Sequence, residues 1–444
     1  MKFLLLNSPI YRTASEPEEE YLPPLGLGYI ATHIDASGVN VKIIDCVKEH
    51  LGVVDINELF SAEQPDYIGM NVFTQNYEIV KEIIENCRVA ATIIIGGQVV
   101  KCVYPEILKW KVKNNIVLVI GEGELILPTI ISGTCAEKPI CDGPGRHVYR
   151  VDKNSRYFPN DLSAVKLNRA FLKEDIVCNH YKQREASIIT SRGCMYNCTF
   201  CGGARILNQD IPIRCRDIED VGREIGGIVA AHPDVKSIRV LDDLFLRNAE
   251  SIKDAIRLFQ ALPELTWRGM AHVLTFGKSI NALPELKASG CRELFVGIES
   301  GSDEIRSRIN KPGTPEQVVD VITALLQSGI DVKGYFMYGF PSETADEADE
   351  TYTLASKLKT ISRSTPGEFR PSAFQFRPYH GTQLYNEIIE SGHEIGSIRS
   401  NNNFNMANGR SQFNFQSGNY SKMDDSTLDE YILKTQQLSE VHNV

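Results

Sequence analysis

Three cysteines stand close together in the stretch RGCMYNCTFCGG, directly after a predicted strand: Cys194, Cys198 and Cys201. Thiolates at this spacing can surround one metal centre from a single loop. They would supply three ligands to a [4Fe–4S] cluster and leave one iron open to a molecule that carries an amine and a carboxylate. Such a cluster can deliver one electron, so the stretch predicts a redox-active iron–sulfur site.

Two other interpretations of these thiols stay open at this point. A structural zinc site usually needs a fourth close ligand, and the nearest thiol is Cys215, which has no CxxC partner. The thiols would otherwise be ordinary buried side chains.

Composition limits the class of protein. The chain has 444 residues, of which 42% are hydrophobic and 23% charged, as in an ordinary globular protein of two to three domains. Disorder and a collagen-like structure are excluded. The net charge of −10, from 47 basic and 57 acidic residues, argues against a large basic surface for nucleic acid.

The amino terminus, MKFLLLNSPI, has an apolar run too short for a signal-peptide core or a membrane span. We therefore expect a soluble cytoplasmic protein with no membrane contact. Its eleven cysteines would then be reduced.

Residues 1–130 alternate strand and helix signals. Continuous apolar strands separated by helices predict a parallel sheet covered on both faces. The predicted strands are KFLLLNSP, VNVKIIDCV, DYIGMNV, ATIIIGG and NNIVLVIGEGE. Ligands of such sheets bind beyond the carboxyl ends of the strands, which here fall at residues 7–9, 45, 71–76, 96–98 and 121–124.

A second alternating series begins at residue 187, after a turn-rich segment, 131–186, that we predict to be a linker. Six strand signals with intervening helices, such as 250–262 and 314–329, indicate an incomplete parallel α/β barrel. Thr314, Pro315 and Gln317 form a predicted capping box. The C-terminal extension, 391–444, contains a stretch rich in Asn, Ser and Phe that we expect to fold over its neighbours, followed by a last helix.

The CxxxCxxC spacing, with an aromatic residue before the third Cys, resembles the radical S-adenosylmethionine (SAM) superfamily. VLDDLF, LFVGIESGS, NKPGT, FMYGFPSET and RPYHGT fall in the order of that family's barrel signatures. YLPPLGLGYIA, NVFTQN, IIIGGQ and IGEGE resemble a cobalamin-binding domain. Residues 1–390 thus resemble the methyltransferase-like (class B) cobalamin-dependent radical SAM enzymes. The resemblance implies a Rossmann-like cobalamin-binding domain (1–130) and a partial TIM-type (β/α)6 barrel (187–390).

The resemblance also implies roles for individual residues. Cys194, Cys198 and Cys201 would be the catalytic cluster ligands. The SAM side would include Phe200, Gly202, Gly203, Asp242, Asp243, Glu299, Ser300 and Gly339. The groove for the corrin would include Thr74, Gln75, Asn76, Gly96, Gly97, Gln98, Gly121, Glu122 and Gly123. An ordinary turn at the two glycines after Cys201, and a strand end or helix cap at the Asp pair, are the alternatives.

The chain departs from the family pattern near cobalt. It lacks a DxHxxG motif, and His33 lies in a predicted helix without a suitably placed Asp. GGQVV, with Gln98, Val99 and Val100 after the two glycines, stands where relatives often have Gly-Gly-x-His-Ala. We therefore expect cobalamin to bind without a protein His ligand, beside an apolar face.

The implied reaction is methylation of an unactivated carbon of a small metabolite or natural-product intermediate, through a 5′-deoxyadenosyl radical and methylcobalamin. Oxidative cyclisation or rearrangement with the same cofactors is the alternative. A tRNA methylthiotransferase would use a second set of thiols, for which Cys46, Cys87 and Cys102 are available. However, the loop NSPIYRT has no Cys and no basic C-terminal domain follows. A non-catalytic cobalamin-binding module is a further possibility.

The resemblance implies a flavodoxin- or ferredoxin-like electron donor, and we expect a monomer that binds no nucleic acid. The substrate is not identified by sequence. Candidates to line the barrel are His272, Tyr335, Tyr338, Gln375, Arg377, Tyr379 and His380. The eight cysteines outside the loop receive no catalytic role.

Overall fold

Two units make up the computed structural model, which describes residues 1–10, 21–173, 175–277, 279–393, 399–400, 415–416 and 418–440. The first unit comprises Met1–Asp175, Asn208–Arg214 and Tyr379–Gly381. The second comprises Ile176–Leu207, Cys215–Pro378 and Thr382–Val444. The Phe-bearing stretch that was expected to fold over its neighbours lies largely outside the described residues.

The first unit contains a seven-stranded sheet. Its strands are β1 (Lys2–Asn7), β2 (Asn40–Asp45), β3 (Tyr67–Asn71), β4 (Thr92–Gly96), β5 (Ile116–Gly121), β6 (Cys141–Gly143) and β7 (Arg146–Val151). Its helices are α1 (Leu25–Asp35), α2 (Val53–Glu63), α3 (Tyr77–Glu85), α4 (Val100–Ile107) and α5 (Leu127–Ile131), with 3₁₀ turns at Thr74–Asn76, Leu162–Ala164 and Arg169–Phe171. The strand order is β2-β1-β3-β4-β5-β7-β6, and β6 alone in this sheet runs antiparallel to its neighbour.

The apolar strands are covered on both faces, as predicted. β4 reads TIIIG, and its three isoleucines are all buried. On α3, the buried residues Ile79, Val80, Ile83 and Ile84 recur at helical spacing and form one apolar face. The five predicted strands correspond to β1 through β5, so the α/β prediction for this part of the chain is confirmed.

The sheet extends further along the chain than predicted. Residues 131–186 were expected to form a linker, yet β6 and β7 lie in this segment and belong to the sheet. The first compact unit continues to Asp175. Because β6 and β7 are only partly buried, their sequences are short, polar and turn-rich, and no apolar pattern marks them as strands.

The second unit contains an open, curled sheet in the order β16-β15-β14-β13-β12-β9-β8. Its strands are β8 (Ile176–Cys178), β9 (Arg184–Ile188), β10 (Ser191–Arg192), β11 (Arg214–Cys215), β12 (Val235–Val240), β13 (Thr266–Ala271), β14 (Cys291–Glu299), β15 (Asp331–Tyr338), β16 (Phe369–Gln375), β17 (Arg399–Ser400) and β18 (Phe415–Gln416), with Arg214 of β11 counted in the first unit. Its helices are α6 (Ile218–Ala231), α7 (Ala249–Gln260), α8 (Val273–Phe276), α9 (Leu283–Ala288), α10 (Asp303–Arg308), α11 (Pro315–Gln327), α12 (Ala345–Ser362), α13 (Gln383–Glu390) and α14 (Asp425–Glu440), with a 3₁₀ turn at Ile280–Ala282.

Six parallel strands, β9 and β12 through β16, form the predicted partial barrel. β8 adds an antiparallel edge strand. The α11 capping box is also present, since Thr314 Oγ1 accepts the N–H of Gln317 at 3.3 Å and Gln317 Oε1 accepts the N–H of Thr314 at 3.1 Å. The last predicted helix is α14, which packs against β16 and α12.

Buried charges link the amino-terminal parts of the barrel strands. Arg268 donates to Glu185 Oε1 at 2.5 Å and to Glu293 Oε2 at 2.9 Å. Arg370 forms a further ion pair with Glu293. Although burial opposes ionisation, Arg370 and Arg268 lower the pKa of Glu293 to about 2. This network joins β9, β13, β14 and β16 and closes one end of the half-barrel with polar contacts.

All eleven cysteines are free thiols. Within the described part of the chain, no helix combines the length and apolar character needed to cross a membrane.

Candidate functional site

The three clustered cysteines share one loop after β10 in the second unit. Gly193 starts the loop with a φ of 98°, and its N–H donates to Asp243 Oδ2 at 3.0 Å. The N–H of Cys201 donates to the carbonyl of Cys198 at 3.1 Å. The loop therefore holds Cys194 and the two later cysteines in one folded segment.

The thiols of this loop influence one another electrostatically. Burial, with a smaller contribution from the neighbouring Cys198 and Cys194, raises the pKa of Cys201 to about 12. Burial also raises the pKa of Cys194 and Cys198, while the cation of Lys311 opposes the increase. The thiols are thus protonated at neutral pH, and a metal centre must displace their protons on binding.

A set of three thiols fits an iron–sulfur cluster better than a zinc ion. No three His, Cys, Asp or Glu side chains among the described residues converge closely enough to hold one metal ion. A cluster is larger than an ion and takes thiolates from around its edges. Cys215, the fourth ligand considered for zinc, is exposed and accepts a hydrogen bond from Arg247 at 2.9 Å. The zinc interpretation therefore has no geometric support.

Glycines leave space beside the third cysteine. Gly202 and Gly203 form a turn directly after Cys201. A Cβ added to Gly203 would lie 3.6 Å from Cys201 Sγ and 3.9 Å from Asp243 Oδ1. The sulfur and the exposed carboxylate of Asp243 thus lie near the same backbone position, where the carboxylate can accept hydrogen bonds from a ligand.

The carboxylate of the neighbouring Asp242 accepts hydrogen bonds from residues of the second unit. It accepts hydrogen bonds from the N–H and hydroxyl of Thr190 at 2.7 and 2.5 Å and from the hydroxyl of Ser191 at 2.6 Å. Burial raises its pKa, although these bonds oppose the increase. Asp242 therefore holds the segment after β9, and of the predicted pair the accessible carboxylate is that of Asp243.

Glu299 ends β14 with an unusual backbone and a buried partner. Its φ is 67°, and its Oε1 lies 3.1 Å from Nζ of Lys311. A Cβ added to Gly297 would lie 2.3 Å from this Oε1, so a larger residue there would displace the carboxylate from its present position. The sequence motif NKPGT contains Lys311 but does not indicate that Lys311 pairs with Glu299.

Two other residues predicted for the SAM side make internal contacts. Ser300 Oγ and Thr351 Oγ1 share a hydrogen bond of 3.0 Å. The N–H of Gly339 donates to Glu343 Oε2 at 2.5 Å. Their SAM contacts stay predictions, as does that of the Phe200 backbone.

An apolar shell surrounds the buried side of the cysteine loop. Cys198 is 9% exposed and packs in a cluster made by Phe200, Ile305, Ile309, Phe340, Phe376, Leu384 and Ile388. The ring centroids of Phe200 and Phe340 are 5.8 Å apart, and those of Phe340 and Phe376 are 5.2 Å apart. This shell keeps water from one side of the thiols.

The residues predicted for cobalamin follow three neighbouring strands of the first unit. Thr74–Asn76 follows β3, residues 96–98 end and follow β4, and residues 121–123 end and follow β5. β3, β4 and β5 are adjacent and parallel, so these segments meet at one edge of the sheet.

Two glycines keep the backbone bare at this edge. Gly97 has a φ of 114°, and an added Cβ would lie 2.3 Å from the carbonyl oxygen of Val72. Gly121 has a φ of 98°, and its added Cβ would lie 2.0 Å from the carbonyl oxygen of Val151. No other residue fits either position without a backbone shift, and a flat corrin suits such a surface.

The segment Tyr379–Gly381 contacts the loop after β3 within the first unit. Thr74 Oγ1 accepts the N–H of His380 at 3.1 Å and lies 3.0 Å from Nδ1 of the same residue. Gln75 Nε2 donates to the hydroxyl of Tyr379 at 3.3 Å. Tyr379 and His380 were predicted to line the barrel, but the structure assigns them to the first unit.

Other predicted cobalamin residues have defined surroundings. Glu122 forms an ion pair with Arg214, which also donates to the carbonyl of Pro159 at 2.7 Å. Asn76 Oδ1 accepts the N–H of Phe73 at 2.8 Å. Among the other predicted positions, Gln75, Gly96 and Gln98 are at least partly exposed, whereas Gly123 is buried. Arg214 was missed because 92 residues separate it from Glu122 and no motif marks it.

One substrate candidate faces the wrong side of its strand. The hydroxyl of Tyr338 shares a hydrogen bond of 2.7 Å with Thr435 of α14, and its ring stacks on Tyr431. Side chains alternate along a strand, and the ring of Tyr335, three residues earlier, instead lies beside that of Phe374, with centroids 6.0 Å apart. The prediction that Tyr338 lines the barrel is therefore wrong. The remaining candidates are buried: His272, Gln375 and Arg377.

Two family models match the chain. The Radical SAM superfamily model matches residues 188–355, and the B12 binding domain model matches residues 18–131. An uncharacterized methyltransferase of Pyrococcus horikoshii is 28% identical over 88% of this chain and 83% of its own length. Cytidylyl-2-hydroxyethylphosphonate methyltransferase of Streptomyces wedmorensis is 23% identical over 83% of this chain and 78% of its own.

Solved structures share the fold. OxsB, a cobalamin-dependent S-adenosylmethionine radical enzyme, matches 97% of this chain with a TM-score of 0.64 and 16% identity. The chain spans 65% of the OxsB chain, slightly less than two thirds. The radical S-adenosylmethionine methyltransferase TsrM from Kitasatospora setae matches 88% of this chain and 75% of its own, with a TM-score of 0.62 and 16% identity. With both domain models present in this order, the chain belongs to the cobalamin-dependent radical SAM enzymes, whose cofactors are a [4Fe–4S] cluster, SAM and cobalamin.

Proposed function

We propose that the protein is a C-methyltransferase that methylates an unactivated carbon of a small metabolite or natural-product intermediate. One observation carries the radical part of this proposal: three thiols share a loop with the carboxylate of Asp243 beside it. The named methyltransferases among the relatives support the methyl-transfer part. We assign cobalamin binding to residues 1–130, within the first unit that continues to Asp175, the radical SAM barrel to 187–390 and the C-terminal extension to 391–444.

Cys194, Cys198 and Cys201 would hold the cluster. When bound, the cluster, SAM and cobalamin supply one-electron cleavage of SAM and a transferable methyl group. The chain contributes a partly buried, preformed loop whose thiols give up their protons when iron binds. A flavodoxin- or ferredoxin-like protein would provide the electron.

Charged groups beside the loop would orient SAM. Asp243 is exposed, and its carboxylate can accept hydrogen bonds from an ammonium group or from ribose hydroxyls. Glu299 is held by Lys311 at 3.1 Å, so its second oxygen can accept a hydrogen bond in a fixed direction. Fixed acceptors of this kind position a ligand at little entropic cost.

The glycine-lined edge of the first unit would receive cobalamin. Gly97 and Gly121 expose backbone rather than side chains, and Gln75 and Gln98 offer amide groups for the arms of the corrin.

In the second unit, the apolar shell around Cys198 would exclude water from reactive species.

Methyl transfer can be tested before the substrate is known. The anaerobically reconstituted holoenzyme is incubated with methyl-labelled SAM, a reductant and a protein-free cell extract. We expect label in the cobalamin fraction and in a small-molecule product. Formation of 5′-deoxyadenosine with no label in either fraction would contradict the proposal and favour cyclisation or rearrangement.

A matched pair of variants makes this test specific. Cys198→Ala should abolish both labelled fractions. Cys178→Ala, at an exposed cysteine outside the loop, should leave both unchanged.

A further inference from the structure

His272, at the carboxyl end of β13, presents a buried donor that the described residues do not satisfy. His272 is only 4% exposed. Nδ1 accepts the N–H of Leu274 at 3.1 Å, which places the ring proton of the neutral form on Nε2. Nε2 is buried and has no hydrogen-bond partner in the structure.

The imidazole is held in its neutral form. Burial, together with the nearby cations of Lys311 and Arg306, lowers the pKa of His272 to about 2. The ring therefore carries a single N–H at physiological pH. A buried donor without an acceptor destabilises the folded protein, and native proteins seldom leave one unsatisfied. An acceptor from a bound group is the expected partner.

The surroundings of His272 show which group this is. Its ring stacks on Tyr196, with centroids 4.2 Å apart and planes inclined by 30°. Tyr196 lies between Cys194 and Cys198 in the loop, and its backbone N–H contacts the Cys194 thiol. The charge of Lys311 acts on His272 and on both of these thiols. The donor thus lies in the same small region as two of the sulfurs.

We propose that the Nε2–H of His272 donates a hydrogen bond to a sulfur of the cluster held by Cys194, Cys198 and Cys201. The inference rests on these three residues being the ligands, as the proposed function has them. Hydrogen bonds to cluster sulfurs stabilise the added electron and make the reduction potential less negative. His272 would therefore determine how easily the cluster accepts the electron that starts the reaction.

The test compares two substitutions at this position. His272→Phe keeps a flat ring against Tyr196 but has no donor, whereas His272→Gln keeps an N–H donor. Redox titration of the reconstituted cluster without SAM, followed by electron paramagnetic resonance, should show a more negative potential in the Phe variant. The Gln variant should stay closer to the wild type. As a control, His33→Phe removes another buried, unpartnered Nε2 from the first unit and should leave the potential unchanged.

The iron content distinguishes failure of the proposed function from failure of the role of His272. A wild-type protein that binds no iron contradicts the proposed function itself. Full iron content in His272→Phe with an unchanged potential overturns the role of His272. Weaker SAM binding at an unchanged potential also overturns it, because the donor would then serve SAM.

A measurement on the wild type covers the case in which the Phe variant does not fold. Nitrogen-labelled histidine in the cluster-free protein should show His272 as the neutral Nε2–H tautomer. The Nδ1–H tautomer, or an imidazolium at neutral pH, would overturn the proposal. If the Phe variant does not fold, the reduction potential of the Gln variant tests the hydrogen bond. A potential clearly more negative than that of the wild type, although Gln retains an N–H donor, would contradict the proposal.

Discussion

Lys311 Nζ lies 3.1 Å from Glu299 Oε1, with the two side chains 7% and 11% exposed. Because both charges are buried, removal of one leaves the other uncompensated. Lys311→Met should therefore reduce the free energy of unfolding by about 3–5 kcal/mol. Denaturant unfolding of the single and double variants measures this.

The Glu299→Gln/Lys311→Met double variant tests the pairing itself. We expect it to lose less stability than the sum of the two single variants, because each single change already breaks the pair. Strict additivity would show that the two charges do not interact.

The buried network at the amino ends of the barrel strands should be structural. Arg268 pairs with Glu185 and Glu293, and all three side chains are at most 1% exposed. Arg268→Met leaves two carboxylates without this partner and should cost about 3–5 kcal/mol of unfolding free energy. The exposed pair of Arg184 and Asp234 gives the matched control. Asp234→Ala should cost less than about 1 kcal/mol, and similar losses in both variants would refute this account.

Glu343 should make stability depend on pH. Burial raises its pKa from 4.5 to about 8, although the N–H groups of Gly339 and Phe340 oppose the increase. Its folded form holds a proton more tightly than its unfolded form, so stability is greatest below the unfolded pKa and falls as pH rises through the folded one.

The measurement for Glu343 is thermal unfolding from about pH 5 to about pH 9. Glu343→Gln keeps an acceptor for the two N–H groups but cannot ionise, so its melting temperature should fall less than that of the wild type. Glu390→Gln, on the exposed side of α13, should follow the wild type. Parallel curves for the wild type and Glu343→Gln would contradict the prediction.

Alanine substitutions at Gly97 and Gly38 distinguish the stability cost of steric overlap from that of backbone strain. Both have positive φ, but an added Cβ at Gly97 would lie 2.3 Å from the carbonyl oxygen of Val72, whereas at Gly38 nothing lies within 4 Å. Gly38→Ala should cost about 1–2 kcal/mol from strain alone. Gly97→Ala should cost more and should also reduce the cobalamin retained per chain, measured by absorbance. Equal losses of stability with full cobalamin retention in both would contradict the assignment of this edge.

Short-range patterns explain what could be predicted from the sequence. The isoleucines of β4, the Thr314 capping box and the cysteine loop each depend on neighbours within a few residues. The strand order and the common edge of β3, β4 and β5 then follow from the rules for parallel sheets.

Contacts between distant residues explain what could not be predicted. Asp242 and Asp243 look equivalent at a strand end, and only Thr190 and Ser191 determine which carboxylate is buried. Likewise, only the folded chain brings Arg214 to Glu122, which lies 92 residues earlier in the sequence.

The central claim is that the three loop cysteines bind a cluster that cleaves SAM. Anaerobic reconstitution, followed by counts of iron and of 5′-deoxyadenosine, tests it most directly. We predict about four iron atoms per chain and SAM cleavage in the wild type, with both lost in Cys194→Ala, Cys198→Ala and Cys201→Ala. Less than about one iron per chain in the wild type, or SAM cleavage that persists in any of the three variants, would contradict the claim.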